Sequence, residues 1–268
     1  MKLDSRSLVV DLQEIQRLTP HFVEEFLNKV GVMPRPAVHL LFHEGQREDA
    51  GWEKTAKPIN SEIKNGELLI HLCEKALEGI PALALQGWLD WELGGFLLAL
   101  CPEPFCYNFR ELIHPFFPVR GSAENLVRDF VNRLDSGLKG YLVTKTAVNA
   151  DHATAQLSFH FYRLQQDPKE AENYRLYAPH AWIRLLFLAD RFKEYMPVCQ
   201  LSHAGIAPNL KSIWWTFHEF LNKEDRELME DLAEIPLRFK EEPYPVQLLE
   251  LFKASKYVFG EPSLARPV

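Results

Sequence analysis

The stretch Pro81 to Leu100, PALALQGWLDWELGGFLLAL, limits what this chain can fold into more than any other. It is apolar almost throughout, and it carries two carboxylates, Asp90 and Glu92, near its centre. The run is about the length that crosses a bilayer. Each central carboxylate, however, costs roughly 2.5 to 3.5 kcal/mol on insertion, which offsets the gain from about six leucines. The run therefore predicts a helix buried within a soluble fold, with no membrane partner.

Around that helix there is ample material for a packed core. The chain has 268 residues, 47% of them hydrophobic and 12% aromatic, enough for one large domain or two small ones and too apolar for a disordered chain. The start, MKLDSRSLVVDLQEIQRL, lacks the basic and long apolar regions of a secretory signal, so the mature protein is expected to begin at or near Met1. Four irregularly spaced cysteines, Cys73, Cys101, Cys106 and Cys199, do not make a disulfide scaffold. They predict free buried thiols in a reducing, cytoplasmic protein. Between Glu219 and Glu242 nine acids face four bases, and no basic stripe occurs elsewhere, which argues against nucleic-acid binding. The acidic cluster itself reads as a solvated helix face.

Residues Ser7 to Val30 carry helical spacing, with Thr19-Pro20 placed as the N-cap and first position of a second helix. Ala37 to His43 predicts a strand, a second short strand is placed near Lys54 to Ile59, and the Asn65-Gly66 turn leads into a third over Glu67 to Cys73. Beyond the apolar helix, prolines predict an irregular stretch with one helical turn from Phe105 to Val119, and Ser122 opens a long helix. Ala147 to Gln165, Tyr174 to Tyr195, Leu210 to Leu221, Lys223 to Glu234 and Pro245 to Tyr257 predict further helices, with Trp182, Trp214 and Trp215 as core anchors. The fold class expected is α+β, predominantly helical, with a small antiparallel or mixed sheet on the N-terminal side. The domain division expected is residues 1–165 and a helical extension over residues 166–268, either separate or packed as one domain, since the polar, proline-containing stretch Gln165 to Asn173 is the best boundary if there are two.

Within the apolar helix, Trp91-Glu92-Leu93-Gly94-Gly95 resembles the zinc-peptidase motif H-E-x-x-H with tryptophan and glycine in place of its histidines. In the intact motif two imidazoles one turn apart reach one zinc while the glutamate polarises the zinc-bound water. An indole has no lone pair to give and glycine has no side chain, so Glu92 is vestigial as a catalytic group. The order of a small sheet, the motif helix, a proline stop and a later acid-bearing helix is similar to zincin-like peptidases of the gluzincin type, over roughly residues 37 to 145. That resemblance implies a third ligand position at Glu124 or Asp129. It also implies a zincin-like domain that has lost its zinc, holds no metal or other cofactor, and acts as a non-catalytic binding or structural module for a protein or peptide partner. The alternatives are a metal-dependent hydrolase using scattered ligands such as His71, His114, Glu92 and Asp129, and a plain helical protein with no zincin relation.

Two expectations attach to this site. Glu92 should border a cleft or be held by a hydrogen-bonding partner, because an unpaired buried charge is too costly to keep. The indole of Trp91 should lie across the bare backbone at Gly95, one turn away, and fill the former metal space. Other constellations carry less. His152 and His160 are about 11 Å apart along a helix, too far to share an ion, and His218 is expected to be a hydrogen-bonded structural histidine. Asp90 and Glu92 point about 200° apart and do not form an acid/base pair. No G-x-S-x-G, G-x-x-x-x-G-K-[ST] or G-x-G-x-x-G sequence occurs.

Overall fold

A computed structural model describes residues 11–31, 35–43, 58–100, 105–118, 120–164 and 168–256. The protein is mostly helical with a small three-stranded mixed sheet, and its chain groups into two compact units. One comprises residues 1–100, 143–164 and 204–207; the other comprises residues 101–142, 165–203 and 208–268. The expected boundary near residue 165 coincides with one crossing between them, whereas residues 101–142 group with the C-terminal helices.

In the first unit, α1 (Leu12–Val30) is capped by the Asp11 carboxylate, which accepts from the Glu14 N–H, and ends at Gly31 in the left-handed conformation. It is one helix with Pro20 inside it, not two. Pro20 removes one backbone hydrogen bond. The Thr19 hydroxyl satisfies the carbonyl of Ile15 instead of capping a new helix, and both flanking turns bury Ile15, Phe22, Val23 and Phe26, which holds the helix together across the proline.

The sheet is formed by β1 (Val38–His43), β2 (Ile59–Lys64) and β3 (Glu67–Cys73) in the order β1-β3-β2. β1 runs parallel to β3, and β2 is its antiparallel hairpin partner through Asn65 (φ 55°) and Gly66 (φ 80°), the pair of positive φ values that an Asn-Gly turn supplies. The second strand thus begins where the sequence pattern ends it. Lys54 to Lys57 lie outside the described residues.

After α2 (Glu74–Leu77) comes α3 (Ala82–Leu100), the apolar helix. Ile59, Leu68, Ile70 and Leu72 from the sheet, Phe22, Val23 and Phe26 from α1, and Leu85, Leu89 and Leu93 from α3 make its core. None of the helices among the described residues is long and apolar enough to cross a membrane.

A long helix, α5 (Ser122–Asn149), follows α4 (Phe109–Ile113) and contributes its last turns to the first unit. It stops at Ala150 to His152, where Asp151 has φ 63°, and α6 (Ala153–Arg163) begins. Ala147 to Gln165 is therefore not one helix, because the short polar side chain of Asp151 tolerates the left-handed conformation that reverses the chain. α6 lies against α3 closely enough that the Gln156 amide donates to the Gly87 carbonyl at 2.8 Å.

The second unit is a helical assembly of α4, the first part of α5, α7 (Pro168–Tyr177), α8 (Ala181–His203), α9 (Leu210–Phe217), α10 (Lys223–Arg238) and α11 (Tyr244–Lys256). Of its three tryptophans only Trp214 is fully buried; Trp182 and Trp215 are half-exposed. His218 stacks on Trp214 and bonds the Trp214 carbonyl through Nδ1 at 2.8 Å, the structural role expected of it. Asp225 receives the Tyr174 hydroxyl at 2.6 Å and the Arg184 guanidinium, so its buried charge is paired and hydrogen-bonded. Cys73, Cys106 and Cys199 are free thiols, but only Cys199 is buried, and burial pushes it up to about 12; Cys106 is exposed, and Cys101 lies outside the described residues.

Candidate functional site

Glu92 lies on the side of α3 that faces β2. Side chains alternate along a strand, so Ser61 and Ile63 of β2 turn toward α3. The Ser61 hydroxyl donates to Glu92 Oε2. Around this pair is a cavity of about 380 Å³, lined by Ser61, Glu62 and Ile63 of β2, Leu68 of β3, and Trp91, Glu92, Gly95 and Phe96 of α3. The Glu62 carboxylate turns to the opposite face of the sheet, where it meets His71 Nε2 at 3.3 Å. His71 in turn is stacked on His43, with Nδ1 and Nε2 3.0 Å apart. Glu92 thus both borders a cavity and has a hydroxyl donor, as expected from the cost of an unpartnered carboxylate.

Trp91 does not cover Gly95. Its ring packs on α6, 5.9 Å from Phe159 and edge-on to His160 at 5.3 Å. A Cβ built on Gly95 would meet nothing within 4 Å. The reason is that the half-buried indole gains more apolar contact against α6, where Phe159 is fully buried, than it would over bare backbone beside the cavity. The side chain at 91 fills space on one side and the cavity at 95 stays open.

The expected third-ligand positions are engaged elsewhere. Glu124 is bonded by Arg110 Nε at 3.2 Å and by Arg128 at 2.9 Å, which hold its carboxyl below the usual range, and Asp129 pairs with Arg133 at 3.1 Å. Both acids belong to the second unit, and neither lines the Glu92 cavity. Of the scattered ligand set, His71 and Glu92 are in the first unit while His114 and Asp129 are in the second. Among the described residues no three His, Cys, Asp or Glu side chains are grouped to hold a metal ion.

Two residues away from Glu92, the opposite side of α3 carries a polar cluster that sequence reasoning missed. Asp90, fully buried, accepts from His152 Nδ1 at 2.8 Å. Glu25 of α1 stands 3.7 Å from His152 Nε2, beyond hydrogen-bond reach, and is itself bound by Lys29 at 3.1 Å and Gln86 at 3.3 Å. Burial pushes Asp90 up to about 6 even though the His152 hydrogen bond pulls the other way. Lys29 holds Glu25 below the ordinary carboxylate range. Nearby His160 is driven down to about 3 by burial and is therefore neutral. The available signal was an acid at the centre of an apolar helix, which requires a partner somewhere in the chain.

No protein family, curated protein or solved structure matches this chain.

Proposed function

We propose that the first unit is a zincin-like module without catalytic function, and that the cavity between β2 and α3 binds an extended peptide segment of a protein partner. The observation that carries this reading is the position of Glu92: the one residue kept from the H-E-x-x-H pattern lines a cavity beside a sheet edge, with Ser61 bonded to it. The sheet precedes the motif helix in chain order, as the resemblance implies. Positions 91 and 95 supply no metal ligand, which supports a binding role over hydrolysis.

Among the described residues β2 pairs only with β3, so its outer edge presents backbone donors and acceptors that an added strand satisfies. The cavity volume of about 380 Å³ is in the range of sites that receive a small ligand or a few side chains. The irregularly spaced cysteines support a reducing, cytoplasmic setting, and the acidic stretch from Glu219 to Glu242 supports a protein partner over a nucleic acid.

The test is to select displayed heptapeptides against the full chain and map hydrogen exchange with a selected peptide bound. Protection over residues 59–64 and 88–96 is expected. Peptides that protect only residues 168–256, or stoichiometric zinc in the purified protein, would overturn the reading.

A further inference from the structure

Gly87, Asp90 and Gly94 follow one another along a single face of α3, and neighbouring helices close that face. A Cβ on Gly87 would fall 2.2 Å from the Ala155 carbonyl oxygen, and one on Gly94 would fall 2.7 Å from Val143 Cγ1. In this packed layer the buried His152 imidazole, tilted against Phe26 at 5.7 Å, stands between two carboxylates. Its Nδ1 is 2.8 Å from Asp90 Oδ2. Its Nε2 faces Glu25 Oε1 of α1 at 3.7 Å and has no hydrogen-bond partner among the described residues. An orphaned buried nitrogen is costly to keep. The other groups facing this pair are Lys29 and His21 on α1, which act on it through Glu25, and the neutral Gln86 of α3, which donates to Glu25.

We propose that His152 is a proton-operated latch: when the Asp90–His152 pair takes up one proton from solvent, Nε2 gains a hydrogen and draws the Glu25 carboxylate, and with it α1, into a hydrogen bond. The tautomers require this. While the pair holds a single proton, Asp90 is ionised and only Nδ1–H can make the 2.8 Å bond. Nε2 is then a bare lone pair facing a carboxylate, and two acceptors keep apart, which is the 3.7 Å spacing seen. With a second proton the pair is either imidazolium with carboxylate or neutral imidazole with carboxylic acid. In both forms Nε2 carries a hydrogen aimed at Glu25. Lys29 keeps Glu25 below the ordinary carboxylate range, so an ionised acceptor is waiting, and Glu25 is half-buried, which gives the proton a path from solvent. Burial raises Asp90 to about 6 against the pull of the His152 bond. The folded pair thus holds the proton more firmly than the unfolded chain, and the latch is closed at mildly acidic pH and opens as pH rises through about 6. It operates whether or not the cavity beside β2 binds a peptide.

The experiment follows the His152 ring nitrogens of the isotope-labelled, full-length protein by long-range proton–nitrogen correlation NMR from pH 8 to pH 4, with the ring assigned through its own backbone. At pH 8 Nδ1 should carry the hydrogen and Nε2 none. By pH 5 Nε2 should carry one, and the backbone amides of Phe22 to Phe26 should shift with the same midpoint. Glu25→Gln removes the attracting charge and should move that midpoint about one pH unit lower. Glu24→Gln, on the exposed side of α1 where Glu24 pairs with Arg35 at 2.8 Å, should leave it unchanged. A hydrogen on Nε2 already at pH 8, or none at pH 5, overturns the latch. So does a midpoint indifferent to Glu25→Gln, a midpoint that Glu24→Gln moves as far, or amides of α1 that stay still through the transition.

Discussion

The two sides of α3 hold acids two residues apart under opposite conditions. Asp90 is sealed against α6, with His152 as its only described hydrogen-bond partner, in a layer where Gly87 and Gly94 permit close approach of the neighbouring backbone and side chains. Glu92 stands at a cavity beside a strand edge, with a hydroxyl donor and a glycine whose missing side chain is replaced by nothing. On the closed side each departure from an ideal apolar helix is answered by another residue of the fold. On the open side the glycine is not, and that difference separates packing that stabilises the fold from surface that does not.

The closed side should break hardest. His152→Leu leaves Asp90 buried without its donor, and at pH 8 this should cost about 3 to 5 kcal/mol, as removing one partner of a buried pair does. Urea denaturation measures it, and a loss below about 1 kcal/mol would mean that water reaches Asp90. Gly87→Ala should cost about 3 kcal/mol, because the clash is with a backbone carbonyl that cannot rotate away. A melting temperature equal to that of the unaltered protein would show that α3 and α6 are not in close contact.

The same pair yields a pH dependence. Asp90 rises from an ordinary 3.8 to about 6 in the folded state, so the folded protein holds this proton more firmly than the unfolded chain. Its contribution is fully present below pH 3.8 and is lost as pH rises through about 6, a fall on the order of 1 to 3 kcal/mol. Asp90→Asn should flatten that part of the stability profile. An unchanged profile would assign the titration to other groups. The smallest effect belongs to the open side, where Gly95→Ala should stabilise the protein by about 0.5 to 1 kcal/mol, opposite in sign to Gly87→Ala.

Local pattern showed the sequence side of this comparison and could not show the rest. The carboxylates of α3, the strands β1 and β3, and the Asn65-Gly66 turn are visible because side-chain period and turn chemistry are properties of neighbouring residues. The helix through Pro20 is not, since burial on both flanking turns outweighs the lost hydrogen bond only after α1 has packed. His152 is 62 residues from Asp90, and only tertiary packing brings them together. Gly94 and Gly95 are adjacent and chemically identical; a valine of α5 beside one and open space beside the other distinguish them. Trp91 was expected over Gly95 because the two are one turn apart, yet the choice between two apolar surfaces depended on where Phe159 lay.

The claim that the cavity at Gly95 serves binding and not folding is tested most directly by measuring stability and affinity for a selected heptapeptide on Gly95→Leu in parallel. A melting temperature no lower than that of the unaltered protein is expected together with at least tenfold weaker binding, roughly 1.4 kcal/mol. Unchanged affinity in a folded Gly95→Leu protein, or a loss of stability like that of Gly87→Ala, would contradict it.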